Sequence, residues 1–223
     1  MKLEVRNLTK SYDNEKIFKN FNLQFSDEKV NCIIGESGCG KSTLLNILAH
    51  LISVDDGKIL GISKQDISYI FQEDRLIEWL TIKENLNIAL KRYYDDSEIE
   101  SRINNLLLSL GLENVKDKYP SELSGGMKQR VNIARAFGKP SKLILMDEPF
   151  KSLDYTLKYK IIDEFKYMLL KENRMVILVT HDVEEAIYFD GNIIVLGKRP
   201  VEVKKVFSKD LYNSKEEIIN LIR

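Results

Sequence analysis

The sequence predicts an α/β fold with a largely parallel sheet, an antiparallel β lobe at its N-terminal end and an inserted all-helical segment. Short β-branched runs alternate with helical patterns, and several runs are apolar nearly throughout, which is typical of strands covered on both faces. The opening residues alternate apolar and polar positions, as a half-exposed antiparallel sheet does. From about residue 73 to residue 139 only helical patterns occur. The predicted strands are VNCIIG at 30–35, ISYIFQ at 67–72, LILMD at 143–147, MVILVT at 175–180 and NIIVLG at 192–197.

The helices are predicted from apolar spacing and from their end signals. In SEIESRINNLLLSLGL, residues 97–112, apolar side chains recur at helical intervals and Gly111 stands where a C-cap glycine belongs. The segment YTLKYKIIDEFKYMLLKEN, residues 155–173, has the same periodicity. Near the C-terminus, Ser214 and Glu217 have the spacing of a capping box, which predicts a short amphipathic helix there.

Composition narrows the classes of function. Lys plus Arg and Asp plus Glu both number 34 in 223 residues, so the net charge is zero and no broad attraction to nucleic acid or anionic lipid is expected. The two cysteines, Cys32 and Cys39, have neither a zinc nor a disulfide spacing, which favours a reduced, cytosolic setting. No apolar run approaches the about 20 residues of a membrane span, and the first residues lack the apolar core of a signal peptide. If the protein works at a membrane, we expect another chain to supply the span.

The most specific single motif is GESGCGKST, which follows a predicted strand and precedes a predicted helix. It matches the phosphate-loop pattern GxxxxGK[ST] in the structural context that this pattern requires. Glycines let the backbone wrap closely round an anion, Lys41 would neutralise the charge of the β- and γ-phosphates, and the Ser42 hydroxyl would coordinate Mg²⁺. The predicted nucleotide-binding residues of the loop are Gly35, Glu36, Ser37, Gly38, Cys39, Gly40, Lys41, Ser42 and Thr43.

A second acidic centre lies at the end of the strand LILMD. Asp147 is in the place of a Walker B aspartate, which holds Mg²⁺ through water, and Glu148 would orient or polarise the attacking water. An Asp-Glu-Pro sequence often merely ends a strand in a turn, so this interpretation depends on the phosphate loop upstream. Together, the two motifs predict a P-loop nucleoside triphosphatase.

A second glycine-containing helix start, LSGGMKQR at 123–130, also suits an anion, because it exposes backbone N–H groups at the positive end of a helix dipole. This segment resembles the signature of ATP-binding cassette (ABC) ATPases. The other motifs of that family follow in the correct order over essentially the whole chain. They are an aromatic residue near the N-terminus, the Walker A loop, a glutamine ending a strand, the signature, the Walker B strand with its adjacent glutamate, an SLD turn at 152–154 and a histidine after VILVT.

The resemblance implies a single ABC ATPase domain over residues 1–223 with a P-loop (RecA-like) core. Residues 1–72 and 140–223 are expected to form the nucleotide-binding core with its antiparallel β lobe, and residues 73–139 the helical signature subdomain. Two such chains are expected to pack head to tail, so that each ATP lies between the Walker A loop of one chain and the signature of the other. Loss of the γ-phosphate on hydrolysis would weaken this contact, so that hydrolysis would change the arrangement of the two chains.

The resemblance also implies a role for each remaining motif residue. Tyr12 is expected to stack on adenine, with an ordinary strand-end tyrosine as the alternative. Gln72 would reach Mg²⁺ or the attacking water, and His181 would contact the γ-phosphate, so that both join Lys41 and Glu148 as catalytic residues. The residues expected to contact ATP or the partner's phosphate loop across the dimer are Ser124, Gly125, Gly126, Gln129 and Asp154, and those expected at Mg²⁺ are Ser42, Gln72 and Asp147.

A solitary cassette without coiled-coil or zinc insertions favours a transporter ATPase. The segments FQEDRLIEWLTIKENL at 71–86, MDEPFKSLD at 146–154 and VTHDVEEAIYFDGNIIVLGKRP at 179–200 resemble the importers of nitrate, sulfonate and taurine-type solutes. Lys151 and the sequence Asp190, Gly191, Asn192 depart from that group at positions outside the catalytic set. Two alternatives stay open: an ABC ATPase of an exporter or lipid-release system, and a soluble non-transport ABC ATPase that acts on RNA or a protein complex.

The resemblance implies partners as well. They are a second copy of this chain, transmembrane permease subunits and, indirectly, an extracytoplasmic solute-binding protein, whereas nucleic acid is not expected. The permease contact is expected in residues 73–86 beside Gln72, where the only tryptophan, Trp79, is either part of that contact or part of a local core. The protein is therefore expected at the cytoplasmic face of the cell membrane, held there by the permease. The transported solute is not encoded in this chain, because the ATPase subunit does not touch it.

Overall fold

A computed structural model of the chain describes residues 2–13, 15–26, 30–151 and 153–223. The chain forms two compact units. The sheet unit consists of the residues up to 67, residues 143–148 and residues 174–223, and the helical unit consists of residues 68–142 and 149–173. The segment 149–173 therefore groups with the helical unit, whereas the sequence predicted it as part of the core. One reason is its aromatic packing, since the rings of Phe137 and Phe165 meet edge to face at 4.9 Å between centroids.

The strands are mostly short and apolar, and four of the five-residue strands are buried at every position. In chain order they are β1 (Glu4–Tyr12), β2 (Glu15–Gln24), β3 (Val30–Ile34), β4 (Asp56–Leu60), β5 (Ile67–Ile70), β6 (Leu143–Asp147), β7 (Met175–Val179), β8 (Asn192–Leu196) and β9 (Val203–Phe207). All the predicted strands are confirmed within one or two residues. Two further strands, β4 (DGKIL) and β9 (VKKVF), have neither a continuous apolar run nor a regular alternation, so the periodicity of the sequence does not predict them.

The sheet unit holds an antiparallel sheet in the order β2-β1-β4 and a larger sheet in which its strands run β6-β7-β3-β8-β9. The neighbours β6 and β7, β7 and β3, and β3 and β8 are parallel, and β9 pairs antiparallel with β8 at the edge. The parallel strands are apolar throughout because both of their faces are covered. Their carboxyl ends meet at one edge of the sheet, which is where polar side chains of parallel sheets converge.

The α-helices in the described part of the sheet unit are α1 (Lys41–Leu48), α6 (Val183–Tyr188) and α7 (Lys215–Ile222). The predicted helix near the C-terminus is confirmed, but its predicted capping box is wrong. Ser214 has helical backbone angles (φ −85°, ψ 0°) and makes no side-chain cap, whereas an N-cap side chain needs an extended backbone to reach the next turn. Glu217 instead accepts a hydrogen bond from Lys205 Nζ on β9 at 2.5 Å.

The helical unit contains α2 (Ile82–Leu90), α3 (Asp96–Ser109), α4 (Gly125–Gly138) and α5 (Tyr155–Leu170). No strand interrupts it between residues 73 and 139, all of which are described, so the predicted helical insertion is confirmed. Gly111 follows α3 with φ 61° and confirms the predicted C-cap glycine. Gly138 lets α2, α3 and α4 approach closely, because a Cβ there would lie 2.5 Å from Leu90 Cδ2 and 3.2 Å from Leu106 Cδ1.

None of the described helices is long and apolar enough to cross a bilayer.

Candidate nucleotide site

The phosphate loop joins β3 to α1 within the sheet unit, as its sequence context predicts. Gly38 and Gly40 both have positive φ, 76° and 129°, which L-residues adopt only with strain. A Cβ at Gly38 would meet nothing within 4 Å, so this part of the loop borders open space. A Cβ at Gly40 would lie 2.9 Å from Ile17 Cγ2 and 3.1 Å from Val201 Cγ2. The loop is therefore open on one side and packed against the core on the other.

Lys41 is buried, with 6 % of its surface exposed, although it carries a charged ammonium group. Its Nζ donates hydrogen bonds to the backbone carbonyls of Gly35 and Glu36, both at 2.8 Å. A buried ammonium is costly unless it is paired, and this one is held by the carbonyls of its own loop. This arrangement keeps a positive charge inside the loop, where it can attract phosphate.

The next residue, Ser42, lies against the end of β6. Its hydroxyl donates to Asp147 Oδ1 at 3.1 Å, and Asp147 is itself buried. A hydroxyl and a carboxylate are the hard oxygen ligands that Mg²⁺ prefers. Among the described residues, no group of three or more His, Cys, Asp and Glu side chains is placed to hold a metal. The donor set thus fits a Mg²⁺ ion bound by few protein oxygens, with substrate phosphates and water supplying the remaining ligands.

Glu148 and His181 are brought together by the pairing of β6 with β7. The Glu148 N–H donates to Val179 O at 2.9 Å, and Oε2 of Glu148 lies 3.3 Å from Nδ1 of His181. Glu148 has φ 44°, an unusual value for a non-glycine residue that costs about 1–2 kcal/mol. Such strain often accompanies functional positions. The glutamate side chain is mostly covered, at 16 % exposure, whereas the histidine is 56 % exposed.

Tyr12 ends β1 and leaves 42 % of its surface exposed, so its ring is accessible to a planar ligand. Lys10 Nζ lies 5.2 Å from the centre of the ring and donates to Asp55 Oδ1 at 3.1 Å. Asp55 also accepts a 2.7 Å hydrogen bond from the Ser11 N–H. The bond from Lys10, followed by that from Ser11, lowers the pKa of Asp55 below its ordinary value. The strand end that carries Tyr12 is therefore anchored by a pair that the sequence did not reveal.

The predicted signature residues begin helix α4 of the helical unit. Ser124 is the N-cap and accepts a 3.4 Å hydrogen bond from the Met127 N–H. A Cβ at Gly125 would meet nothing within 4 Å, whereas one at Gly126 would lie 3.0 Å from Leu153 Cδ2. The first turn is thus open at Gly125 and packed at Gly126. Gln129, one turn further along, is buried.

The other predicted residues of the helical unit lie at the ends of elements. Gln72 is exposed and follows β5 by two residues, between Phe71 and the start of the helical insertion. The guanidinium of Arg75 lies 3.6 Å from the centre of the Phe71 ring. Asp154 caps α5 by accepting a 3.0 Å hydrogen bond from the Leu157 N–H. Of the predicted SLD turn, Ser152 lies outside the described residues.

Within the sheet unit, the structure links four of the predicted residues in sequence. Ser42 bonds to Asp147, Asp147 precedes Glu148, and Glu148 lies beside His181. Tyr12 has no contact of this kind with them among the described interactions. The residues that sequence reasoning missed are cations at the edge of the loop, above all Arg199, whose segment VLGKRP was noted only as a mark of a subgroup.

Comparison with known proteins agrees with this geometry. Residues 18–151 match the family described as ABC transporter. An uncharacterized ABC transporter ATP-binding protein of Methanocaldococcus jannaschii is 36 % identical over 223 residues, which cover 95 % of this chain and 83 % of the relative. The aliphatic sulfonates import ATP-binding protein SsuB of Bacillus thuringiensis is 36 % identical over 205 residues, which cover 88 % of this chain and 80 % of the relative.

A solved structure has the same fold. It is described as a dimeric, post-hydrolysis state of the ATP-binding cassette MJ0796 bound to ADP and Pi, and it aligns with a TM-score of 0.81 at 31 % identity, covering 92 % of this chain and 97 % of that chain. The α/β architecture found here, with an antiparallel sheet and helices beside a P-loop sheet, is thus the ABC cassette fold. The chain belongs to the ABC transporter family, as an ATP-binding subunit that hydrolyses ATP.

Proposed function

We propose that this chain is the ATPase subunit of an importer for a small solute of the nitrate, sulfonate or taurine type, working through a separate permease. The observation that carries the chemistry is the linked set Ser42, Asp147, Glu148 and His181 at one edge of the parallel sheet. The importer assignment is supported by the similarity to SsuB, which is described as an import protein for aliphatic sulfonates. Residues 1–72 and 140–223 are proposed as the nucleotide-binding core and residues 73–139 as the signature subdomain.

In the proposed site, the phosphate loop from Gly35 to Thr43 binds the phosphates of ATP and Tyr12 stacks on the base. Ser42 and Asp147, with Gln72, would hold Mg²⁺, which would neutralise charge on the transferring phosphate. Lys41 neutralises the β- and γ-phosphates from inside the loop.

Glu148 is proposed as the general base. Its carboxylate takes a proton from a water molecule whose oxygen attacks the γ-phosphorus, while the bond from that phosphorus to the ADP oxygen breaks. Glu148 directly follows the last residue of β6, and its carboxylate lies 3.3 Å from His181, which is proposed to contact the γ-phosphate. Gln72, exposed after β5, orients the water. General-base catalysis of this kind contributes about 10²–10⁴-fold to a rate.

The proposed active form is a homodimer in which two chains pack head to tail. The open start of α4, at Ser124 and Gly125, has the free backbone and dipole that suit a γ-phosphate held by the other chain. Gly126 and the buried Gln129 belong to the same proposed contact, and Asp154 is proposed to meet the partner's phosphate loop. The related cassette MJ0796 is described as dimeric with ADP and Pi bound.

The proposed permease contact lies in residues 73–86, after Gln72. Trp79 in this segment is 79 % exposed, which excludes the alternative that it belongs to a local core of this chain. A large exposed aromatic side chain is a common anchor of protein interfaces. Through this contact the protein is proposed to sit peripherally at the cytoplasmic face of the membrane, with an extracytoplasmic solute-binding protein feeding the permease and no nucleic acid involved.

The variant Glu148→Gln tests the chemistry. It keeps the shape of the side chain but cannot take a proton, so we expect ATP and Mg²⁺ to bind and a stable dimer to form while kcat falls by about 100-fold or more. ATP binding is measured by titration with and without Mg²⁺, and dimer formation by light scattering. Glu216→Gln, an exposed glutamate on α7, is the matched control and is expected to turn over like the natural protein. Full activity of Glu148→Gln would show that another group is the base.

The same variant tests the purpose of the chemistry. Trapped with ATP, it is used to purify its partners from detergent-solubilised membranes of the source cell. A polytopic permease, with or without a binding protein, is the expected partner. Ribosomal or other non-membrane partners without a permease would leave the ATPase assignment in place and refute the importer.

A further inference from the structure

The segment between β8 and β9, residues 197–202 with the sequence GKRPVE, is built against the phosphate loop. The segment is closed at its base, because the Gly197 N–H donates to Glu202 O at 2.8 Å. It is also fixed to β2, because the Val201 N–H donates to Ile17 O at 2.8 Å. Ile17 and Val201 are also the two nearest side chains that a Cβ at Gly40 would meet. Two backbone hydrogen bonds therefore hold the segment beside the phosphate loop.

Two consecutive cations reach from this segment to the phosphate loop. Arg199 Nη2 donates to the Gly38 carbonyl at 2.5 Å, and Arg199 Nη1 donates to Glu15 Oε2 at 2.8 Å. Beside it, Lys198 Nζ lies 3.2 Å from Glu36 Oε1. A guanidinium presents its donors in a fixed planar fork, so Arg199 holds two acceptors at a set spacing, which a lysine at this position would not do.

The contact with Gly38 matters because of how a phosphate loop works. Such a loop binds anions with N–H groups that point inward, and its carbonyls must find donors elsewhere. Since a peptide group is planar, an anchored Gly38 carbonyl also fixes the N–H that follows it. That N–H belongs to Cys39 and donates to Glu36 O at 3.3 Å, so Arg199 holds the carbonyl side of this peptide group and Glu36 holds its N–H side. Lys41 restrains the carbonyls of Gly35 and Glu36 from inside, and Arg199 restrains that of Gly38 from outside.

The contact with Glu15 connects the loop to the hairpin that carries Tyr12. Glu15 begins β2 and is the cross-strand partner of Tyr12 at the end of β1. Arg199 is thus bonded at once to the phosphate loop and to the residue opposite the proposed base-stacking tyrosine.

We propose that Arg199 is a positioning residue for nucleotide binding, which pre-organises the phosphate loop through Gly38 and the Tyr12 hairpin through Glu15. This inference rests on the proposed function, in which the loop binds phosphate and Tyr12 binds the base. Pre-organisation improves binding by lowering the ordering cost when the ligand arrives. Arg199 does not take part in the reaction itself, so its loss affects nucleotide affinity and leaves the chemical step intact.

The test compares Arg199→Met with the matched control Arg6→Met. Arg6 is also an exposed arginine of the sheet unit, and it forms a similar pair with Glu4 at 2.7 Å on β1. Because Arg199→Met removes charged hydrogen bonds to two acceptors, we expect KM and the Kd of a fluorescent ATP analogue to rise about tenfold. We expect kcat to stay within about twofold, since the catalytic groups are untouched. Arg6→Met is expected to match the natural protein in all three quantities.

Two further variants distinguish a positioning role of Arg199 from a general effect of its charge and from a folding defect. Arg199→Lys keeps the charge but loses the fork, so it is expected to recover only part of the affinity. Glu15→Ala keeps the Gly38 contact and frees the hairpin. It is expected to weaken ATP binding about threefold, within the range of an exposed ion pair, without changing the affinity for inorganic tripolyphosphate. If Arg199→Met does not fold, these two variants still test the proposal. Full affinity in Arg199→Lys would reduce the role to charge alone.

The proposal is overturned if Arg199→Met binds ATP like the natural protein, or if kcat falls while KM and Kd do not change. Lys41→Met distinguishes this failure from failure of the proposed function. If Lys41→Met retains full nucleotide affinity, the phosphate site itself is misplaced. If Lys41→Met loses binding and Arg199→Met keeps it, only the role of Arg199 is wrong.

Discussion

Two glycines of the phosphate loop, Gly38 and Gly40, should respond very differently to the same added methyl group. Both have positive φ, 76° and 129°, so alanine at either position costs about 1–3 kcal/mol of backbone strain. At Gly38 the new Cβ meets nothing within 4 Å. At Gly40 it would lie 2.9 Å from Ile17 Cγ2 and 3.1 Å from Val201 Cγ2, and both side chains are buried. Overpacking of this kind costs about 1–3 kcal/mol.

The strain is larger at Gly40, because φ 129° lies far outside the left-handed region near φ 57° that L-residues can adopt, so strain and overpacking both add to the cost there. We expect Gly40→Ala to lower the free energy of unfolding by about 1–3 kcal/mol more than Gly38→Ala does. The assay is urea denaturation followed by circular dichroism, because the single tryptophan, Trp79, lies in the helical unit and is exposed to solvent. Gly38→Ala should still lose ATP affinity, since its methyl group projects into the open side of the loop. Equal denaturation midpoints for the two variants would refute the packing argument.

Two other predictions concern groups with partners in the helical unit. Asp154→Asn should keep the N-cap of α5, because Asn and Asp cap a helix equally well, so any change in dimer formation would be due to the lost charge. Asp154→Ala should lower the free energy of unfolding by about 1 kcal/mol, measured by denaturation, because the cap is lost. Hydrogen bonds from Lys116 and then Lys83 lower the pKa of Glu100. A lowered folded-state pKa stabilises the fold above the ordinary glutamate pKa, and that effect is lost as pH falls from there through the lowered folded-state pKa, so Glu100→Gln should flatten the acid side of the stability profile. An unchanged acid slope in that variant would contradict the assignment of these ion pairs.

The elements that could be predicted from the sequence are those with a strong local signal. Strands β3, β6, β7 and β8 are short apolar runs because both of their faces are buried. The phosphate loop can be recognised from the spacing of its glycines and its lysine. The strands β4 and β9 could not be predicted, because neither is a continuous apolar run or a strict alternation of apolar and polar residues. Their strand conformation comes from pairing with β1 and β8. The capping box predicted at Ser214 is absent for a related reason. Glu217 accepts a hydrogen bond from Lys205 of β9, 12 residues away in the sequence, and not from the backbone at Ser214.

The candidate site divides in the same way. Each motif residue could be named from the chain, because a phosphate loop or a strand ending in carboxylates needs particular residue types at fixed local spacing. The proximity of Glu148 to His181 could not be derived from spacing, since it depends on β6 and β7 being parallel neighbours. The resemblance to a family suggested that both residues act on one phosphate, and the structure supplied the 3.3 Å between them.

By itself, the sequence determined the fold class, the phosphate loop, the order of the motifs and the absence of a long apolar run, because each of these depends on neighbours along the chain. Only the tertiary structure decided which side chains support the site from a distance. Arg199 is the clearest case, since its bonds to Gly38 and Glu15 span 161 and 184 residues of sequence. The physical reason is that hydrogen bonds and packing act over a few ångströms, and only the folded chain brings such residues within that range.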